Sequence, residues 1–153
     1  MPRRIYRMYY MKVAVIGAGA SGLMAAYAAA KNGNEVTIFE KNEKSGKKIY
    51  ITGKGRCNFT NDVSVDEFIG NVVNNPKFLL SSITAFSPEQ CIEFFEKGGM
   101  ATKVERGNRA FPVSDKASDV TRCLEYYCKS AGVKFKFNTE IKEIKILDST
   151  MFD

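Results

Sequence analysis

The hydrophobic pattern changes period several times along the chain. Lys12 to Ile16 (KVAVI) is a short, β-branched apolar run, the pattern of a strand buried on both faces of a parallel sheet. It stops abruptly at Gly17. Ala20 to Lys31 is Ala-rich, with Leu23, Met24 and Tyr27 at helical spacing, and Asn32-Gly33 supplies a C-terminal stop signal. Glu35 to Glu40 (EVTIFE) reads as a second buried strand. Strand, glycine turn, helix and strand within about 30 residues make a βαβ unit with a right-handed crossover. The class this predicts is α/β with a central parallel sheet.

From Lys41 to Asn61 no period is visible, and Gly46, Gly53 and Gly55 interrupt the run, so a long functional loop is expected there. Short helices are predicted over residues 65–70 and 76–86. A further helix begins at Ser87-Pro88-Glu89, with Ser87 as N-cap and Pro88 at the first helical position, and ends at Gly98-Gly99. Residues 101–113 suggest a hairpin around Gly107-Asn108. Ser114 is then expected to cap a helix from Asp115 to about Ala131, and residues 133–137 and 140–147 are expected to be strands. Residues 1–11 read as an arm outside the fold, 12–148 as the domain, and 149–153 as a tail with the look of an arbitrary end; Met1, Met8 and Met11 each fit a natural start.

Composition narrows the chemistry. A chain of 153 residues with 44% hydrophobic and 26% charged residues suits one globular domain. It contains no His, which removes Ser-His-Asp and Cys-His catalysis and every His-bearing zinc site. Cys57, Cys91, Cys123 and Cys128 form no CxxC pair, so neither a metal site nor a thioredoxin-type motif is indicated, and reduced cytoplasmic thiols are the default. The 18 uncharged residues from Val13 to Ala30 imitate a membrane span or signal peptide, but Gly17, Gly19, Ser21 and Gly22 sit at their centre and the period changes partway along. No membrane association is expected.

The net charge of +6 has a location. Between residues 41 and 56, Lys41, Lys44, Lys47, Lys48, Lys54 and Arg56 stand against Glu43 alone. A basic loop of this kind fits a phosphate-bearing small ligand as well as it fits a polyanion.

The loop has a partner motif in Gly17-Ala18-Gly19-Ala20-Ser21-Gly22. A glycine triplet is weak evidence by itself, yet this one leaves a strand and opens a helix, as a dinucleotide-binding turn requires. Gly17 permits the tight turn, Gly19 lets the backbone approach a pyrophosphate, and Gly22 lets helix and strand pack closely. Helix N–H groups then face the phosphates. Glu40 stands at the end of the second strand, where an acid accepts hydrogen bonds from a ribose diol and disfavours a 2′-phosphate. FAD or NAD is therefore expected over NADP at this turn. Read alone, Glu40 is also consistent with a solvated strand-end acid.

These residues, followed by Gly46-Lys47-Lys48, Thr52-Gly53-Lys54-Gly55-Arg56-Cys57-Asn58-Phe59-Thr60-Asn61 and Phe111-Pro112-Val113-Ser114-Asp115-Lys116-Ala117-Ser118, resemble the BaiN-like or aminoacetone-oxidase-like flavoproteins of the glutathione-reductase-like FAD group. The resemblance covers about residues 11–147. It implies FAD held non-covalently, with the ribose at Glu40, the pyrophosphate over Gly17 to Gly22, and Lys41, Lys47 and Lys48 near the adenosine and phosphate end. Thr52, Gly53, Arg56, Cys57 and Asn58 would pass along the cofactor toward the flavin, and the backbone of Ile141 would meet the adenine. Without the resemblance, Arg56 suits an anionic oxygen or an ordinary surface ion pair equally well. Cys57 has basic neighbours that favour thiolate, but a packing or hydrogen-bonding role outranks a redox one because no resolving cysteine is near in sequence.

The resemblance also implies a longer protein, with a substrate domain and a C-terminal segment that completes the FAD site, so the Rossmann-like domain is incomplete relative to the family. The leading expectation is the FAD-binding portion of a flavin-dependent oxidoreductase, the flavin carrying hydride. NAD(P)H is then the candidate electron donor of the full-length protein, and no nucleic-acid partner and no named catalytic residue are expected. An NAD-binding dehydrogenase domain uses the same Gly17 to Glu40 unit without accounting for residues 46–61. A basic nucleic-acid module would need more aromatic residues in the loop than Tyr50 and Phe59.

Overall fold

Parallel pairing of the first two strands sets the geometry of everything near the glycine turn. The computed structural model describes residues 10–145, so the tail and most of the arm lie outside the described residues. Strand β1 (Lys12–Ile16) pairs in parallel with β2 (Glu35–Phe39), Ile16 opposite Phe39, and β2 pairs in parallel with β6 (Lys134–Lys136). The order is β1-β2-β6. Between β1 and β2 runs α1 (Ala20–Lys31), closed by Asn32 and by Gly33 at φ +84°. The expected βαβ unit is present, with β2 ending at Phe39, one residue before the expected Glu40.

After β2 come α2 (Lys47–Ile51), a 3-10 turn (Thr52–Gly55), the two-residue strand β3 (Thr60–Asn61), α3 (Val65–Gly70), α4 (Pro76–Ala85) and α5 (Pro88–Lys97). Hairpin strands β4 (Thr102–Glu105) and β5 (Arg109–Pro112) follow, and β5 also pairs antiparallel with β3, giving a small second sheet ordered β3-β5-β4. Helix α6 (Ala117–Ser130) leads to β6. Ser87 and Gln90 form a reciprocal capping box at the start of α5, as the sequence predicts.

The core lies on one side of the parallel sheet. Val13, Val15, Val36, Ile38 and Phe135 pack with Leu23 and Ala26 of α1 and with Leu124 and Cys128 of α6. An aromatic junction ties the helices together: Phe94 of α5 stacks on Tyr127 of α6 at 4.1 Å, and Tyr27 of α1 lies 5.0 Å from the Tyr127 ring. The Tyr127 hydroxyl donates to the Phe94 carbonyl at 2.7 Å, so the polar end of the half-buried ring has a partner.

Four expectations are corrected. β1 is not buried on both faces: among the described residues it is a sheet edge, and Ala14 and Ile16, on the opposite face of the strand from Val13 and Val15, are exposed, Ile16 by 54%. The stretch 41–61 is not without regular structure, because Gly46 at φ +72° turns the chain into α2 and Thr60-Asn61 joins the second sheet. Helix α6 starts at Ala117 with Lys116 as N-cap, since Asp115 adopts φ +56°, and the Ser114 hydroxyl donates to Asp119 instead of capping. Residues 140–145 form no strand; the remainder of that expected strand lies outside the described residues.

Gly22 is the position with least tolerance. A Cβ there would stand 2.0 Å from the Gly17 carbonyl oxygen, a backbone atom that cannot swing aside. At Gly19, with φ −77°, nothing lies within 4 Å of the same atom. Gly22→Ala should therefore lose about 3 kcal/mol or more in urea unfolding, as severe overpacking does, whereas Gly19→Ala should change stability by less than about 1 kcal/mol.

Candidate functional site

The glycine turn, the end of β2 and the start of the basic segment meet around one carboxylate. Glu40 is 7% exposed. Its Oε2 accepts the Ala18 N–H at 2.7 Å, and its Oε1 accepts both the Asn42 backbone N–H at 2.8 Å and the Asn42 side-chain amide at 2.6 Å. Burial pushes this carboxyl upward, but the hydrogen bonds from Ala18 and Asn42, with the charge of Lys41, outweigh it and hold the group below the ordinary carboxylate value of 4.5. A carboxylate offers about four acceptor positions, so one remains for an incoming hydroxyl.

The turn itself is held from both strands. Gly17 at φ +97° donates to the Phe39 carbonyl at 2.8 Å, and the Ala18 carbonyl accepts the Gly46 N–H at 2.8 Å. A Cβ on Gly46 would lie 2.6 Å from Thr121 Oγ1, so the basic segment sits directly against α6. Helix α1 has Gly19 in the N-cap position, no side-chain cap and no acid in its first turn, leaving its N-terminal N–H groups and their partial positive charge to an outside acceptor. Open space at Gly19 and the uncapped terminus form a cradle for an anion, and Glu40 beside it provides an acceptor.

A cavity of about 1020 Å³ spans this junction. Of the residues singled out by the sequence, Gly17, Gly19, Ala20, Ser21, Glu40, Lys41, Lys47, Lys48, Cys57, Asn58 and Ile141 line it. Ala18 is buried behind the wall and contributes its N–H to Glu40, while Gly22 serves the helix–strand contact. Thr52 and Gly53 belong to the 3-10 turn. Asn58 directs its amide to the Thr60 and Ala110 carbonyls at 2.6 and 3.0 Å, which fixes the loop against the second sheet. Ile141 reaches the cavity from irregular chain after β6 and not from a strand.

Arg56 takes its partners from the β4-β5 hairpin and the turn that follows it. It does not line the cavity; its guanidinium pairs with Glu105 and with Asp115 (Nε to Oδ1, 2.8 Å) and covers the Phe111 ring at 4.4 Å. Lys103 joins the same carboxylates, 2.8 Å from Asp115 and 3.4 Å from Glu105. Hydrogen bonds from Lys103 and Arg56 hold the Asp115 carboxyl below its ordinary value, and Arg56 and Lys103 do the same for Glu105. The network staples the segment before Cys57 to the β4-β5 hairpin. The ion-pair reading of Arg56 thus describes its geometry.

Several lining residues were not singled out from the sequence. Asn42 follows Glu40 by two positions in an acid-led turn, a signal that local side-chain-to-backbone hydrogen bonding could have supplied. Met24, Phe59, Cys91, Phe94 and Leu124 form an apolar end of the cavity that only the packing of α1, α5 and α6 creates. Burial pushes the Cys91 thiol up to about 11, so it is a neutral thiol at pH 7.

Turn, uncapped helix and strand-end acid define a dinucleotide-binding Rossmann domain. The family model of the HI0933-like protein Rossmann domain matches residues 11–153, and the chain belongs to that family, an FAD-binding domain of flavin-dependent oxidoreductases. It is 35% identical over 138 residues to the 3-dehydro-bile acid delta(4,6)-reductase of Clostridium scindens, covering 88% of this chain and 33% of that protein. To the ribosomal RNA dihydrouridine synthase of Escherichia coli it is 30% identical over 131 residues, covering 85% and 32%. The chain thus spans about a third of the length of these relatives. Among solved structures, the 3-ketosteroid-delta4-(5alpha)-dehydrogenase of Rhodococcus jostii superposes with a TM-score of 0.60 at 14% identity over 88% of this chain and 39% of that one, a likeness of fold. Among the described residues, no helix is long and apolar enough to cross a membrane.

The direction of the Glu40 shift has a consequence for pH. Its folded value lies below the ordinary one, so its contribution to stability is present above about pH 4.5 and is lost as pH falls through the folded value. Urea titrations from pH 6 to pH 3 should show the wild type losing more stability than Glu40→Gln; equal losses would mean that the carboxylate is not held this way.

Proposed function

We propose that this chain is the cofactor-holding part of a flavin-dependent oxidoreductase, with FAD laid along the cavity from Glu40 to the apolar end. The observation that carries the reading is the shared wall: the open backbone at Gly19, the uncapped start of α1 and the acceptor Glu40 face one space. Residues 17–22 receive the pyrophosphate, with Gly17, Gly19, Ala20 and Ser21 at the surface of the cradle. Glu40 accepts from the adenosine ribose, and Lys41, Lys47 and Lys48 supply positive charge at the same end. The backbone near Ile141 meets the adenine. Cys57 and Asn58 border the far part of the path, and Thr52, Gly53 and Arg56 set the course of the segment that leads there.

When bound, the flavin supplies hydride acceptance and release. The residues of this chain orient it, neutralise its phosphates and keep water from its apolar portion. No side chain of the chain is assigned as a proton donor or acceptor in the reaction. The names of the two relatives, a reductase and a dihydrouridine synthase, support a redox activity for the longer protein, with NAD(P)H as the external reductant and a substrate bound by residues beyond this chain. Four reduced thiols support a cytoplasmic location. Residues 12–148 form the domain in this reading, flanked by the arm and the tail.

The test is the absorption spectrum of the purified chain titrated with FAD. Flavin bands that shift on binding in the wild type and fail to do so in Glu40→Arg are expected, with affinity falling about a hundredfold or more because a cation replaces the ribose acceptor. Binding of NAD in preference to FAD, or binding of DNA with a steep salt dependence, would overturn the assignment.

A further inference from the structure

The Glu40 carboxylate does not stand by itself, and the residue that arranges it is Asn42. Four hydrogen bonds of Asn42 bear on the site. Its backbone N–H and its side-chain amide both donate to Glu40 Oε1, at 2.8 and 2.6 Å. Its side-chain oxygen accepts from Lys47 Nζ at 3.1 Å. Its carbonyl accepts the Asn138 N–H at 3.0 Å, one residue from Thr139, whose N–H donates to the Glu40 carbonyl at 2.9 Å. Asn42 therefore joins the end of β2, the start of α2 and the segment after β6 at one point.

The chemistry of the amide explains why this position suits Asn. Lys47 carries donors only, and the ionised Glu40 carboxylate carries acceptors only. An amide between them has one orientation, oxygen toward Lys47 and nitrogen toward Glu40; the reverse would set oxygen against oxygen and nitrogen against nitrogen. No other side chain of this size offers a donor and an acceptor at opposite corners. Aspartate keeps the Lys47 contact but places a second carboxylate against Glu40, and alanine loses both contacts.

We propose that Asn42 is the positioning residue of the ribose-binding acid. It fixes Glu40 Oε1, turns Oε2 onto the Ala18 N–H, and so sets the one acceptor position left for a ribose hydroxyl and the attitude of the glycine turn together. This rests on the FAD reading above for the identity of the hydroxyl, but the internal arrangement is a property of the ligand-free chain. The charged groups around Glu40 are Lys41 beside it, Lys47 beyond Asn42, Lys136 at the end of β6, whose carbonyl accepts the Glu40 N–H, and Glu140 on the chain after β6; the glycine turn and the first turn of α1 bring none.

Two variants test it. Asn42→Ala, without ligand, should raise the pH at which the Glu40 carboxyl carbon titrates by NMR and speed solvent exchange of the Ala18 amide. Asn42→Asp is nearly isosteric, and its fold is checked by circular dichroism at each pH. Two carboxylates in contact share one proton, so its FAD affinity, weakest near pH 8, should recover as pH falls toward about 5, while the wild type stays flat across that window. Asn42→Ala should weaken FAD binding about tenfold at every pH in it. An unmoved Glu40 titration with an unmoved Ala18 amide in Asn42→Ala, or a flat pH profile in Asn42→Asp, would overturn the proposal. A wild type that binds no FAD would defeat the functional reading instead, and the ligand-free titration would still decide the role of Asn42.

Discussion

A carboxylate buried at the end of a strand needs donors, and the source of those donors decides how the surrounding chain is arranged. Leaving such a group unpaired costs several kcal/mol, so it ionises only where hydrogen bonds replace water. At Glu40 they come from Ala18, on the turn after β1, and from Asn42, at the start of the basic segment. Ala18 also accepts from Gly46 through its carbonyl. One residue, Ala18, is thus clamped through its N–H by the acid and through its carbonyl by the loop, and the turn can have only one attitude toward the cavity.

The clamp works because the frame behind it is rigid. Parallel register sets Ile16 opposite Phe39, which brings Gly17 within reach of the Phe39 carbonyl. The missing side chain at Gly22 lets α1 start hard against that turn, and the Tyr27, Phe94 and Tyr127 rings hold α1 to α5 and α6. Farther along, Arg56 anchors the opposite stretch through Glu105, Asp115 and the face of Phe111. That network is exposed, so salt screens it, and its use is to fix geometry more than to add stability.

The βαβ unit was legible because its signals are local: β-branched runs, an Ala-rich helix and glycines at the turn. The boundaries of β1 and α1, the start of β2 and the capping box at Ser87 follow from neighbouring residues alone. What escaped the sequence depends on partners distant in the chain. Exposure of Ala14 and Ile16 is a matter of which sheet face the helices cover, which KVAVI cannot encode. The carboxylate partners of Arg56 stand 49 and 59 residues away, so no neighbouring residue announces them. The apolar end of the cavity likewise needs three helices brought together. Asn42 is the intermediate case, since its contact to Glu40 is local but its meaning appears only once Glu40 is known to be buried.

The distribution of charge around the cavity also sorts ligands. An uncapped helix terminus with Lys41, Lys47 and Lys48 favours anionic oxygen, while Glu40 a few residues away repels it and welcomes hydroxyl donors. A uniform polyanion laid across this wall would gain at the lysines and lose at the carboxylate, which the hydrogen bonds of Ala18 and Asn42 keep ionised. A molecule with a phosphate group and a free diol in sequence satisfies both ends at once. The surplus of +6, taken as a bulk property, suits any polyanion; divided by one buried acid, it selects a nucleotide.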